Sequence, residues 1–136
     1  MMTFAHLTLA TRDVQRTAIF FEKTLGWPRV ATPDNTPLDA AWVQMGRDTG
    51  QQVHILRVAE FEPSPFEAEF GRHFAVFHAG ADFPALKRRL AEHGAVVIDA
   101  IRPTPFERFF FRDPNGYVFE VIDRDGYDPE GSERRV

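Results

Sequence analysis

His6-Leu7-Thr8-Leu9-Ala10 and, sixty-seven residues on, His73-Phe74-Ala75-Val76-Phe77 decide the reading of this chain. Both are short, mostly apolar runs of the kind that form strands, and both open on histidine. The last strand-like run of each half repeats the arrangement, with His54 inside the first and Glu120, sixty-six residues later, inside the second. A near-constant offset across two separate pairs marks a duplicated unit. Two modules, each with an early His and a late His or Glu, carry the donors of a metal site built where modules meet.

Working outward, each half reads as strand, helix and three strands. In the first, a strand over 4–10 precedes a helix over 14–25. Asp13 caps it, Val14, Ala18, Phe21 and Leu25 share one face, and Gly26 stops it. Strands follow near 27–31, 41–45 and 52–58, the last two joined by the turn at 46–50. The stretch 59–71, with Pro63 and Pro65, reads as a connector. In the second half, a strand over 73–79 leads to a helix from Asp82 or Phe83 to His93, ended by Gly94, then a strand over 96–100. The final pair, 108–112 and 117–123, is a hairpin around Asp113-Pro114-Asn115-Gly116. The expectation is one domain over 1–136: module one about 4–58, module two about 72–123, and a polar tail over 124–136 that frays.

The fold class expected is α+β: two tandem βαβββ modules whose strands form a curved mixed sheet around a metal-binding cup. Side chains alternate along strands. His6 should therefore share a face with Thr8, His54 with Gln52, His73 with Ala75, and Glu120 with Val118 and Ile122.

Composition narrows the chemistry. At 136 residues, 43% hydrophobic, the chain is long enough for a core. It has no cysteine, which excludes disulfides, thiolate metal sites, iron-sulfur clusters and thiol nucleophiles. A formal charge of −4 argues against nucleic acid as a partner. No apolar stretch approaches a membrane span, and the N-terminal residues lack the pattern of a signal peptide, so a cytoplasmic location is expected.

The stretches His6-Leu7-Thr8-Leu9, Lys23-Thr24-Leu25-Gly26-Trp27 and Phe110-Phe111-Arg112-Asp113-Pro114-Asn115-Gly116-Tyr117-Val118-Phe119-Glu120 resemble the vicinal oxygen chelate superfamily. That superfamily includes glyoxalase I, extradiol ring-cleaving dioxygenases, fosfomycin-resistance thiol transferases, methylmalonyl-CoA epimerase and the bleomycin-binding proteins. The resemblance runs over about 4–123. It implies metal positions at His6, His54, His73 and Glu120, with His54 either a fourth ligand or a group that supports one. The ion implied is one divalent metal, with Zn, Ni, Fe, Mn and Co all open.

Other candidates follow from the faces. Thr8 lies two residues beyond a ligand position and could hydrogen-bond an oxygen of a bound substrate. Arg108 and Phe110 should face the cup with Glu120, Arg108 as an anion-binding group or a strand-edge charge. Trp42 and Phe77 are either pocket walls or plain core. His78 should face away from His73, and His93, before Gly94, suits the C-terminal end of its helix.

The function implied is a metal-dependent glyoxalase-like enzyme of lyase or isomerase type. It would act on an oxygenated small molecule by chelation, with Glu120 or a metal-bound hydroxide as base. Three alternatives stay open. An Fe(II) extradiol-type dioxygenase would need the His and Tyr that 103–110 does not supply. A fosfomycin-type thiol transferase resembles His6-Leu7-Thr8-Leu9, but its phosphonate-binding Tyr and associated Ser correspond to Phe110 and Arg108. A bleomycin-like binding protein would be non-catalytic. Ala10 stands where glyoxalase I carries a glutathione-anchoring Arg. Open sheet edges lead to the expectation of a homodimer.

Overall fold

Leu9, Val43, Val53 and Ile55 are fully buried while the residues between them are not, and that alternation builds the first sheet. It consists of β1 (His6–Thr11), β2 (Arg29–Val30), β3 (Ala40–Gln44) and β4 (Gln52–Arg57), in the order β1-β4-β3-β2. The β1–β4 pair is parallel and the others antiparallel. Helix α1 (Val14–Thr24) packs on β3 and β4 through a face that includes Val14, Thr17, Ala18 and Phe21. Its start is fixed by Asp13, whose side chain accepts from Arg16 N at 3.0 Å. Its end is fixed by Gly26, at φ +72°, a left-handed conformation that glycine takes without steric cost. Thr11 and Thr17, both buried, satisfy each other across 2.9 Å.

The second sheet repeats the plan with β5 (Phe74–His78), β6 (Val96–Asp99), β7 (Arg108–Arg112) and β8 (Val118–Asp123), in the order β5-β8-β7-β6. Again the outer pair, β5–β8, is parallel and the rest antiparallel. Helix α2 (Phe83–Glu92) follows a 3-10 turn, Gly80–Asp82, and buries Phe83, Leu86 and Leu90. Phe83 meets Phe109 edge to face at 5.0 Å, and Phe111 stacks on Phe119 at the same distance. The β7–β8 turn closes through Gly116 N to Asp113 O and Asp113 N to Tyr117 O, both 2.9 Å. The carboxyl Oδ1 of Asp113 accepts from Asn115 N and Tyr117 N.

The structure, a computed structural model, describes residues 2–36, 39–47 and 49–128, in two compact units, Met1–Glu62 and Pro63–Val136. The architecture is thus α+β, two four-stranded mixed sheets each with one helix, as the tandem βαβββ reading requires. The expected connector is divided by the unit boundary. Its later part is tied into the second unit by Glu67, which accepts from Val118 N at 3.0 Å and from Arg72 at 2.7 Å. Asp48 of the expected turn and residues 129–136 of the expected tail lie outside the described residues. Among the described residues no helix is long and apolar enough to cross a membrane.

Candidate metal centre

Strand pairing decides which candidates meet within each unit. In the first, Thr8 pairs with His54, His6 with Gln52, and Trp42 with His54, so all five lie on the sheet face opposite the buried valines and isoleucine. The rings form a three-layer stack. His6 and His54 lie 3.8 Å apart at 18°, and His54 and Trp42 lie 3.6 Å apart at 8°. Gln52 Oε1 sits 2.9 Å from His54 Nε2; an amide oxygen only accepts, so Nε2 carries the proton there. Burial, and then the neighbouring His6, push the His54 imidazole below its ordinary value of 6.5, favouring the neutral ring. Nitrogen lone pairs lie in the ring plane, so two imidazoles stacked face to face do not direct theirs at a common point.

In the second unit, Phe110 pairs with Glu120, Ala75 with Glu120, and Arg108 with Ile122, which places Arg108 and Phe110 on the face of Glu120 as the hairpin predicts. His73 lies one residue before β5. Its Nδ1 is 3.1 Å from Ala68 O, an acceptor, so Nδ1 carries a proton. Its Nε2 is 3.2 Å from Glu120 Oε1, a second acceptor. Phe110 meets the His73 ring edge-on at 5.2 Å and is buried. The other carboxylate oxygen of Glu120, Oε2, takes Arg108 Nη1 at 3.1 Å.

Arg108 is fully engaged at its tip: Nη2 donates to Glu69 Oε2 at 3.0 Å and to Arg102 O, and its side chain is 3% exposed. Glu69 in turn accepts from Ile101 N at 2.6 Å and Arg102 N at 2.9 Å. Burial works to raise the Glu69 carboxyl, but the bonds from Arg102 N, Ile101 N and Arg108 outweigh it and hold it below the usual carboxylate range. Glu69 was invisible to sequence reasoning. It stands in an aperiodic connector, and no spacing links it to the ligand positions.

His78 lies on the opposite face of β5 from Ala75 and bonds Asp82 at 2.8 Å. His93 caps the C-terminus of α2, with Nδ1 2.9 Å from Arg89 O. Phe77 is 53% exposed and rests on Tyr127. Among the described residues no group of three His, Asp or Glu side chains is clustered as an ion would require; within the first unit His6 meets His54, and within the second His73 meets Glu120.

The donor chemistry of the His73–Glu120 pair fits a divalent cation. With Nδ1 protonated, the ring's remaining lone pair is on Nε2, facing a carboxylate oxygen. Two acceptors then share one gap, which is filled by a second ring proton or by a cation. Nitrogen and oxygen ligands at about 2.1 Å from zinc stand about 3.0 Å apart at a right angle and about 3.4 Å apart at the tetrahedral angle. The observed 3.2 Å lies between these spacings.

Comparison with known proteins places these residues in context. The family model described as Glyoxalase/Bleomycin resistance protein/Dioxygenase superfamily matches residues 3–121. "Glutathione transferase FosA" of Serratia marcescens is 29% identical over 124 residues, covering 89% of this chain and 80% of that protein. "Glyoxylase I 4" of Arabidopsis thaliana is 24% identical over 124 residues, covering 88% and 70%. The fold is shared with the fosfomycin resistance protein FosX of Listeria monocytogenes, solved complexed with Mn(II) and sulfate ion. The TM-score is 0.71 at 14% identity, over 96% of each chain.

Proposed function

Because this chain belongs to the Glyoxalase/Bleomycin resistance protein/Dioxygenase superfamily, we propose that it is a metal-dependent enzyme of glyoxalase-like type, a lyase or isomerase acting on a small molecule with adjacent oxygens. The observation that carries the reading is the His73–Glu120 pair, whose facing acceptors and 3.2 Å spacing suit a divalent cation. In the second unit His73 through Nε2 and Glu120 through Oε1 would hold the ion. In the first unit His6 and His54 remain the candidate donors, and His54 supports His6 by stacking. The Mn(II) bound by the Listeria FosX makes manganese one candidate beside zinc, nickel, iron and cobalt.

The bound metal would supply a Lewis acid that polarises two adjacent substrate oxygens. The protein's own groups do the rest. Arg108 pins Glu120 Oε2, so the carboxylate can turn little about its final bond and keeps Oε1 toward His73. As base, Glu120 would release the ion from Oε1, take a proton from a substrate carbon on that oxygen and return it to the neighbouring carbon, while Arg108 keeps Oε2. Phe110 walls one side of the His73 ring, Trp42 closes the ring stack, and Thr8, exposed two residues beyond His6, offers a hydroxyl to a substrate oxygen. Arg108 Nη1 and Nη2 are taken by Glu120, Glu69 and Arg102 O and its Nε is buried, so holding Glu120 is its role in this reading.

The test is elemental analysis of protein purified without an affinity tag, beside His73→Ala. About one divalent ion per chain, lost in the variant, supports the reading, and the ion's identity selects the branch. Unchanged metal content in His73→Ala defeats it. Thiol transfer to fosfomycin is the second reading, favoured by the FosA relative. Against it, Phe110 carries no hydroxyl for a phosphonate. A homodimer in the cytoplasm is part of the same proposal, and a monomer by light scattering would remove the first half.

A further inference from the structure

The hydrogen bonds of the second unit close a ring around the donor pair, and the connector supplies both ends of it. Ala68 O holds His73 Nδ1, while Glu69, the next residue, holds Arg108. Arg108 holds Glu120 Oε2, and Glu120 Oε1 meets His73 Nε2. One guanidinium is therefore shared between two carboxylates, and both are nearly buried, with side chains 10% exposed.

Charge decides what this sharing does. Glu69, Glu120 and Arg108 together carry one net negative charge. Without the Glu69 charge the sum is zero, and Arg108 becomes the undivided partner of Glu120. A cation approaching Glu120 would then compete with a full guanidinium at short range in a poorly solvated place. Glu69 is also kept in place independently of Arg108, by Ile101 N and Arg102 N, so its charge is a fixture of the connector.

We propose that Glu69 is a positioning residue that sets the divalent-cation affinity of the His73–Glu120 pair by sharing Arg108, so that the guanidinium does not neutralise Glu120 alone. This rests on the metal-site reading above. Groups that hold a ligand from behind typically change metal affinity by about 10- to 100-fold when removed, and a loss on the order of tenfold is expected here.

The experiment is titration of the metal-free protein with Co2+ by calorimetry and by the visible absorption of the bound ion. It compares wild type, Glu69→Gln, Glu69→Asp and His73→Ala. Gln keeps the length and an acceptor for the backbone but loses the charge, whereas Asp keeps the charge and loses a methylene. If charge is what matters, Gln binds Co2+ at least about tenfold more weakly and Asp stays within a few-fold of wild type. A merely structural role gives the reverse order, Gln like wild type and Asp impaired, and that order overturns the proposal. Wild-type affinity in Gln overturns it too, even with binding abolished in His73→Ala, which would leave the metal site intact. No Co2+ binding by wild type, or equal binding by His73→Ala, would remove the metal site and this inference with it.

Discussion

Asp113 gives the sharpest test of the energetics. It sits at the β7–β8 turn, 4% exposed, with Oδ1 bonded to two backbone amides and Oδ2 buried without a partner. Burial dominates, and it raises the carboxyl from its ordinary 3.8 to about 7 despite the amides, which favour the charged form. A group whose folded value is raised contributes stability that is full below 3.8 and is lost as pH rises through about 7. At about 1.4 kcal/mol per pH unit, the loss is about 4 kcal/mol once both values are passed. Asp113→Asn mimics the protonated acid, keeps Oδ1 as acceptor and cannot ionise. The variant should match wild type near pH 3.5 and gain on it through pH 4 to 7. At pH 8 its advantage should be on the order of 2–4 kcal/mol, the buried Nδ2 donor reducing the upper figure. Urea unfolding of both proteins at several pH values measures the difference directly. A difference that does not change between pH 4 and 8 would refute the assignment of a buried, unsatisfied acid at this turn.

Three further outcomes follow from the same structure. Trp42→Ala should let solvent reach the His54 ring and move its titration upward toward 6.5, read from the imidazole proton shifts by NMR; an unmoved midpoint would mean the Trp42 stack is not what buries it. Gly116→Ala should cost about 1–3 kcal/mol in chemical denaturation, because φ is +99° and the new Cβ would fall 2.7 Å from Pro63 Cγ; a neutral substitution would show that the turn relaxes freely. Asp82 is held down to about 2 by Arg89 and then His78, so its contribution is present above 3.8 and lost as pH falls through about 2. Since its side chain is 39% exposed, Arg89→Met should move the acid-unfolding midpoint only slightly, reflecting less than about 1 kcal/mol, and a large shift would contradict this screened estimate.

The elements were legible because their signals are local. Asp13, Gly26, Gly94 and the Asp113–Gly116 turn stand at the ends they were read to mark, and β7 begins and ends at Arg108 and Arg112 as the sequence suggested. The edges of β2 were not legible. Of the expected 27–31 only Arg29 and Val30 pair, since Trp27 turns inward to stack on Phe21 at 5.2 Å. The facing of Phe110 and Arg108 toward Glu120 followed from strand alternation once the hairpin was placed. What alternation could not give is who satisfies a buried charge. Arg108 reads in sequence as a candidate for an external anion, yet its partner is a carboxylate thirty-nine residues away in an aperiodic segment. Such pairings depend on how the connector folds back, and no spacing rule encodes that.

Duplication gave the two modules the same scaffold but opposite electrical problems. In the first, the late position is His54, a ring favoured as neutral between two other rings, so the face is polarisable and carries no carboxylate there. In the second, the late position is Glu120, an acid nearly shut away from water, and an acid so placed needs compensation that a ring stack cannot provide. Arg108 supplies it, but a guanidinium answered by Glu120 alone would neutralise the group proposed to hold a cation. A second acid, Glu69, restores the negative balance, and it can do so from the connector because its own desolvation is met by Ile101 N and Arg102 N. The connector is therefore needed in the second module for a reason the first does not have. That difference in charge at one repeated position gives Glu69 a reason to be packed onto the second sheet instead of left in a loose link.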